Sequence, residues 1–309
     1  MNNKFMGLKY TSLKKYYKPG EKYLFLGNGM NQLDNPISWD DLLREVCRRV
    51  KVNVERGTKP YQLFFEQISF DIDRSKLVED NVKKLKQIMG AEALKLQPNP
   101  VLADVINTGH YAHYITTNYD YCIERSLMTF FDPQKGKHLK RPKYSLYRYN
   151  KVNDHKVWHI HGECDNGYKG KLTNFSEASI LIGFEHYADY LEKIHNLLKD
   201  NSGTGLAELM DNAQENWVHL FFTRDIDILG FGLDFTETHL WFILNFRARL
   251  KRKGAGLLNT IRWIIPEFTM QSQQERIDIL QALGVKILLV GAAKGNYKAF
   301  YENFRNTLA

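Results

Sequence analysis

The chain is poor in cysteine and in long apolar stretches, and each shortage narrows what it can be. Three cysteines, Cys47, Cys122 and Cys164, lie far apart with no CxxC pair, which excludes a disulfide framework and a cysteine-rich zinc module. They are read as reduced thiols. No run approaches the roughly 18 apolar residues that a bilayer crossing needs, and the opening MNNKFMGLKYTSLKK lacks the apolar centre of a secretory signal. A cytoplasmic location with no membrane contact is therefore expected. Internal repeats, low-complexity tracts and long Gly/Ser linkers are also missing, so residues 1–309 are expected to form a single unit.

What is present is the balance of a globular protein: 43% hydrophobic and 25% charged residues, with a net charge of +8. That charge favours polyanionic partners in general without selecting one. The segment QKGKHLKRPKYSLYRYNK, residues 134–151, interleaves Lys and Arg with Tyr. It suits phosphate contacts with base stacking and equally a solvated basic loop or a subunit contact, so nucleic acid enters as an indirect partner at most.

Along the chain, KYLFLGNGMN (22–31) reads as a strand entering a glycine turn. ISWDDLLREVCRRV then reads as a helix, with Ser38 as N-cap and Asp41 completing a capping box. From about 50 to 110 the pattern is helical, which predicts an insertion before the next strand. YAHYITTNYDYCIERSL repeats strand, loop and helix, and HKVWHIHGEC supplies a further strand. ASILIGFEHYADYLEKIHNLL and DIDILGFGLDFTETHLWFILNF each read as strand then helix. The runs Ile180–Ile182 and Ile226–Leu229 do not alternate with polar residues, as in strands buried on both faces of a parallel sheet. With IRWIIPEF and VKILLVGA, six or more strands alternate with helices, which predicts an α/β fold with a doubly wound parallel sheet.

Ligands of such sheets bind beyond the carboxyl ends of the strands, and four strand ends carry unusual residues. GNGMN offers Gly27, Asn28, Gly29 and Asn31. Its Gly-x-Gly permits close backbone approach to a pyrophosphate, yet it lacks the third glycine of the dinucleotide fingerprint and fits a plain tight turn as well. TTNYD holds Thr117, Asn118 and Asp120; Asp120 suits a helix cap, whereas Asn118 has no obvious backbone task. HIHG places His161 before a glycine, a position suited to acid/base work at a pKa near the operating pH. His155 and His159 lie nearby, but no Cys or carboxylate at zinc-like spacing joins them, so no metal is expected. GFGLD contributes Gly230, Gly232 and Leu233 as a further backbone contact or as a tight turn.

Glycine loop, T-x-N-x-D, H-G and G-x-G-L, in that order along a doubly wound sheet, resemble the sirtuin family and its bacterial defence branch. The resemblance spans roughly residues 20–300 and implies a sirtuin-like Rossmann sheet that binds NAD as its substrate. It implies Gly27, Asn28, Gly29 and Asn31 at the phosphates, Thr117, Asn118 and Asp120 at the nicotinamide-ribose region, His161 as catalytic base, and Gly230, Gly232 and Leu233 at a later NAD contact. Deacylating sirtuins carry two CxxC pairs after the His-Gly, where this chain has only Cys164 in residues 163–178, and the first loop reads Gly-Asn-Gly in place of Gly-Ala-Gly. Both departures favour direct NAD cleavage.

The expected activity is thus an NAD+ hydrolase releasing nicotinamide and ADP-ribose, acting as an antiphage effector that depletes NAD. A deacylase or ADP-ribosyltransferase, and a non-enzymatic nucleic-acid-binding scaffold, are the alternatives. Such hydrolases are toxic unless gated. With one unit occupying the chain, a sensor is expected on another polypeptide, a HerA-type hexameric ATPase by resemblance, and a homo-oligomer is expected.

Overall fold

A computed structural model describes residues 13–34, 38–128, 144–164, 179–198 and 215–308. Its seven strands are β1 Lys22–Leu26, β2 His113–Thr116, β3 Asn150–Val152, β4 His155–His159, β5 Asp225–Leu229, β6 Ile261–Pro266 and β7 Lys286–Val290. They form one sheet in the order β3-β4-β2-β1-β5-β6-β7. β3 runs antiparallel to β4, and every other pairing is parallel. Set β3 aside, and the six parallel strands follow the Rossmann order 3-2-1-4-5-6. The chain reverses its direction of growth between β1 and β5, and there a crevice opens at the strands' carboxyl ends.

The unbroken apolar runs follow from helices covering both faces. Along β1, Tyr23 and Phe25 face one core while Leu24 and Leu26 face the other; Ile226 and Ile228 of β5 oppose Leu229 in the same way. The first face is covered by α6 Phe184–Leu198, α7 Trp217–Thr223, α8 Thr238–Arg252 and α9 Gln274–Ala282. The second is covered by α4 Pro100–Asn107, α5 Cys122–Leu127 and α10 Tyr297–Asn306. Side chains on alternate faces of a strand thus both find apolar partners.

The helical stretch before β2 divides. α1 Trp39–Val50, α2 Tyr61–Asp71 and α3 Val78–Lys95 build a third core with Tyr119, Tyr121, Cys164, Ile180 and Ile182, whereas α4 packs on the sheet. The capping box at α1 is present: Ser38 Oγ accepts from Asp41 N at 3.1 Å, and Ser38 N donates to Asp41 Oδ2 at 3.1 Å. These three helices rise beside the strands' carboxyl ends and wall the crevice.

One expected strand is not formed. Ile180–Ile182 is buried as foreseen, but it makes a single antiparallel bridge, Gly162 to Ile180. Side chains take the carbonyls that a ladder would use: Lys86 Nζ donates to Ile180 O at 2.9 Å, and Tyr119 OH to Leu181 O at 2.8 Å. Part of the basic segment lies among the described residues. Tyr144, Leu146, Arg148 and Asn150 are buried, while residues 134–143 and the 165–178 stretch after Cys164 lie outside the described residues.

Candidate active site

A cavity of about 320 Å³ opens at the crevice between β1 and β5. Its floor is made by Asn28 and Gly29 after β1 and by Gly230–Leu233 after β5; Thr117, Tyr119 and His161 enter from β2 and β4, and Trp39, Tyr61 and Tyr187 from the helices. A side chamber of about 60 Å³ adjoins it across Asn28, Trp39 and Tyr119, and is lined by Asn31, Asn118 and Asp120. The sequence-predicted residues thus gather at one sheet edge, split between two connected spaces, except Gly27, which lies just beneath.

The glycines of the first loop are required by a neighbour. Gly27 N–H donates to Leu229 O at 3.0 Å and Gly29 N–H to Gly230 O at 2.8 Å. A Cβ on Gly27 would stand 2.5 Å from Gly230 O, and one on Gly29 2.8 Å from it. These glycines let the β1 and β5 loops touch, and their N–H groups bond within the protein. Gly230 has φ of 64°, and Leu233 holds φ of 46°, a left-handed conformation uncommon outside glycine. A Cβ on Gly232 would meet no atom.

The TTNYD segment leaves the sheet because a side chain diverts it. Thr116 Oγ1 donates to Leu26 O at 2.8 Å and accepts from Asn118 N at 3.0 Å. The extended chain then alternates, Thr117 lining the main cavity, Asn118 and Asp120 the side chamber. Asp120, one residue before the N-cap Tyr121, accepts from Cys122 N, the first residue of α5, through Oδ1 at 2.9 Å, and Oδ2 accepts from Asn31 Nδ2 at 3.0 Å. Burial raises the Asp120 pKa, against the opposing pull of the Cys122 hydrogen bond. The Asn118 carboxamide makes no hydrogen bond among the described residues, although it lines the chamber.

His161 is held by Gly162, whose φ of 84° a side chain would strain and whose Cβ would collide with Ser179 O. Its Nε2 lies 3.0 Å from His239 Nε2, its Nδ1 3.4 Å from Tyr187 OH, and Glu237 Oε2 stands 3.5 Å from Nε2. Burial, then the neighbouring His239, pushes the His161 pKa well below its ordinary value, not near the operating pH as expected. Burial also lowers His239 to about 3 and raises Glu237 to about 8, the latter with help from Asp234. Burial thus favours the uncharged form of all three groups.

Behind it lies a charged cluster. His159 Nδ1 donates to Asn118 O at 2.8 Å and Nε2 to Glu124 Oε1 at 2.8 Å, so both ring nitrogens face acceptors. Asn150 Nδ2 donates to Glu124 Oε1 at 2.9 Å and to Glu163 Oε2 at 2.6 Å, and Arg148 pairs with Glu163. Burial alone would lower the His159 pKa, but Glu124 and Glu163 outweigh it and hold the imidazolium up to about 9.

Two donor groups among the described residues are close enough to share a cation: His161 with Glu237 and His239, and Glu124 with His159 and Glu163. Sequence reasoning did not single out Glu237, His239, Tyr187 or Trp39. The signal for the first two was the TETH segment one residue after GFGLD, where Glu237 is the half-buried N-cap of α8 and His239 is buried in its first turn.

A Rossmann-ordered sheet with a cavity at its switch point defines a nucleotide-binding α/β protein. Within that class the chain is more specific: the family model of the SIR2-like domain matches residues 112–288, and the chain belongs to this family, whose members use NAD. The matched region runs from the approach to β2 into β7, so the glycine loop after β1 precedes it. No curated protein matches the chain. No described helix is long and apolar enough to cross a membrane.

Proposed function

We propose that the chain is an NAD+ hydrolase that cleaves NAD to nicotinamide and ADP-ribose. One observation carries this reading: the residues of four strand ends meet in one cavity at the sheet's switch point, with Asn118 and Asp120 in a chamber beside it. The main cavity takes the dinucleotide body along the β1 and β5 loops. The side chamber takes the carboxamide end, where Asn118 offers unengaged polar groups and Asp120 holds the wall.

Cleavage breaks the bond between a cationic nicotinamide and ribose. The leaving group departs neutral, so no strong general acid is needed; the site must stabilise an oxocarbenium-like ribose and deliver water to it. Asn118 orients the water or a ribose hydroxyl. His161 accepts the proton, and its burial keeps it in the neutral form that a base requires. The aromatic walls, Trp39, Tyr119 and Tyr187, limit bulk water around the reacting carbon.

In the cell this activity depletes NAD as an antiphage effector, carried by a homo-oligomer and gated by a HerA-type ATPase partner; the order of motifs shared with the defence branch supports this part. Purified protein, alone and mixed with such an ATPase, is expected to release nicotinamide and ADP-ribose in equal amounts from NAD. His161→Ala and Asn118→Ala should each slow release by about 10²–10⁴-fold. Undiminished release by either variant would sink the assignment, and no release in any assembled state would sink the activity.

A further inference from the structure

The cavity wall holds a group of donors that its own proton inventory does not satisfy. Among the described residues, Glu237 Oε2 and His239 Nδ1 are buried without a hydrogen-bond partner, and no Arg or Lys lines the cavity to balance the carboxyl. A lone buried carboxyl beside two imidazoles is costly unless a cation or proton accompanies it. The neighbouring Glu124–His159–Glu163 group also leaves Glu124 Oε2 without a hydrogen-bond partner among the described residues, but it differs in charge, since His159 pairs with Glu124 and Arg148 with Glu163.

The spacing is that of ligands on one ion. Tetrahedral coordination at about 2.0–2.1 Å from the metal sets ligand atoms about 3.3–3.4 Å apart. His161 Nε2 stands 3.0 Å from His239 Nε2 and 3.5 Å from Glu237 Oε2. One outer nitrogen already has the partner that metal-bound histidines use: His161 Nδ1 faces the Tyr187 hydroxyl at 3.4 Å, while His239 Nδ1, 3.8 Å from Glu237 Oε2, has no hydrogen bond among the described residues. His161 and Glu237 both line the cavity, which leaves a fourth position open to water.

We propose that His161, Glu237 and His239 bind a divalent transition metal of the Zn²⁺ class. Two imidazoles and a carboxylate favour such an ion over Mg²⁺ or Ca²⁺, which take oxygen ligands. On binding, the Glu237 carboxyl releases its proton to solvent, the proton between the two Nε2 atoms moves to Nδ1 of the ring that carried it, and the ion exchanges three waters for the three side chains. Metal on Nε2 occupies the lone pair that proton acceptance needs. Under the hydrolase reading, on which this consequence rests, the loaded form is the silent one.

The test is a Zn²⁺ titration of the chelator-stripped full-length protein against a chromophoric chelator, with Co²⁺ absorption reporting coordination. One equivalent is expected in the wild type. Glu237→Gln, nearly isosteric and so expected to fold, and His239→Ala should each weaken binding by at least about tenfold. Absence of a bound equivalent, or equal affinity in wild type and Glu237→Gln, overturns the site. Where the stripped protein cleaves NAD, saturating Zn²⁺ should stop it, and full activity at saturation overturns the silencing. Failure of the stripped protein to cleave NAD counts against the hydrolase reading, while the titration still decides the site.

Discussion

His159 and His161 sit two residues apart at the end of β4, both almost wholly buried, yet their surroundings drive them in opposite directions. His159 faces a carbonyl and a carboxyl and is held charged up to about 9, inside a network closed by Arg148 and Asn150. His161 faces an imidazole and a hydroxyl, is pushed toward the neutral form, and opens on the cavity. The difference separates two kinds of buried polar group: one whose carboxyls find cationic partners within the fold, and one that has no cationic side chain beside its carboxyl among the residues lining the cavity. The first fixes the position of Asn118 through its backbone carbonyl. The second is where chemistry can occur.

The largest expected effect breaks the first kind. His159→Ala leaves Glu124 buried without its cationic partner, and removing one member of such a pair typically costs about 3–5 kcal/mol. His161→Ala removes a hydrogen bond between neutral groups beside a solvent-accessible cavity and should cost about 1–2 kcal/mol. Urea unfolding of the two variants measures the gap; equal losses would show that the contrast between the two histidines is not energetic.

Gly162 joins the two regions, and it ranks next. Its φ of 84° and the approach of Ser179 O leave no room for a side chain. Gly162→Ala should therefore cost about 1–3 kcal/mol and, by shifting His161, also reduce NAD cleavage. A variant as stable and as active as wild type would mean that the turn relaxes freely, and the close fit of His161 would then carry no weight.

The alternation of strands with helices and the double-sided burial were legible because β1, β2, β5 and β6 are short apolar runs separated by helical periodicity. Ile180–Ile182 misled because burial without alternation marks a hidden segment, not a ladder; the groups that pair its carbonyls, Lys86 and Tyr119, lie 94 and 62 residues away. The same limit hid half the candidate site. Asn118, Asp120 and His161 stand in short strand-end motifs, but Glu237 and His239 look like the start of an ordinary helix until the fold brings His239 against His161. Charge state was less legible still, since nothing in HIHG distinguishes the first histidine from the second before Glu124, Glu163 and His239 are brought to them.

The smallest expected effect on folding falls on the cavity side and is the most discriminating. Gly27 and Gly232 begin and end two Gly-x-Gly loops that look alike in sequence. Alanine at Gly27 would meet Gly230 O at 2.5 Å and should cost about 1–3 kcal/mol. Alanine at Gly232 meets no atom, and its backbone is not left-handed, so stability should stay within about 0.5 kcal/mol of wild type. Gly232 lines the cavity, so a methyl group there should reach whatever the cavity holds. If NAD lies along the β5 loop, Gly232→Ala weakens NAD binding, by isothermal titration, while the melting curve of the free protein stays where it was. Unchanged affinity would move NAD away from that loop and leave Gly232 as a turn residue. A destabilised Gly232→Ala would instead place it with the tightly fitted glycines, on the structural side of the divide drawn by the two histidines.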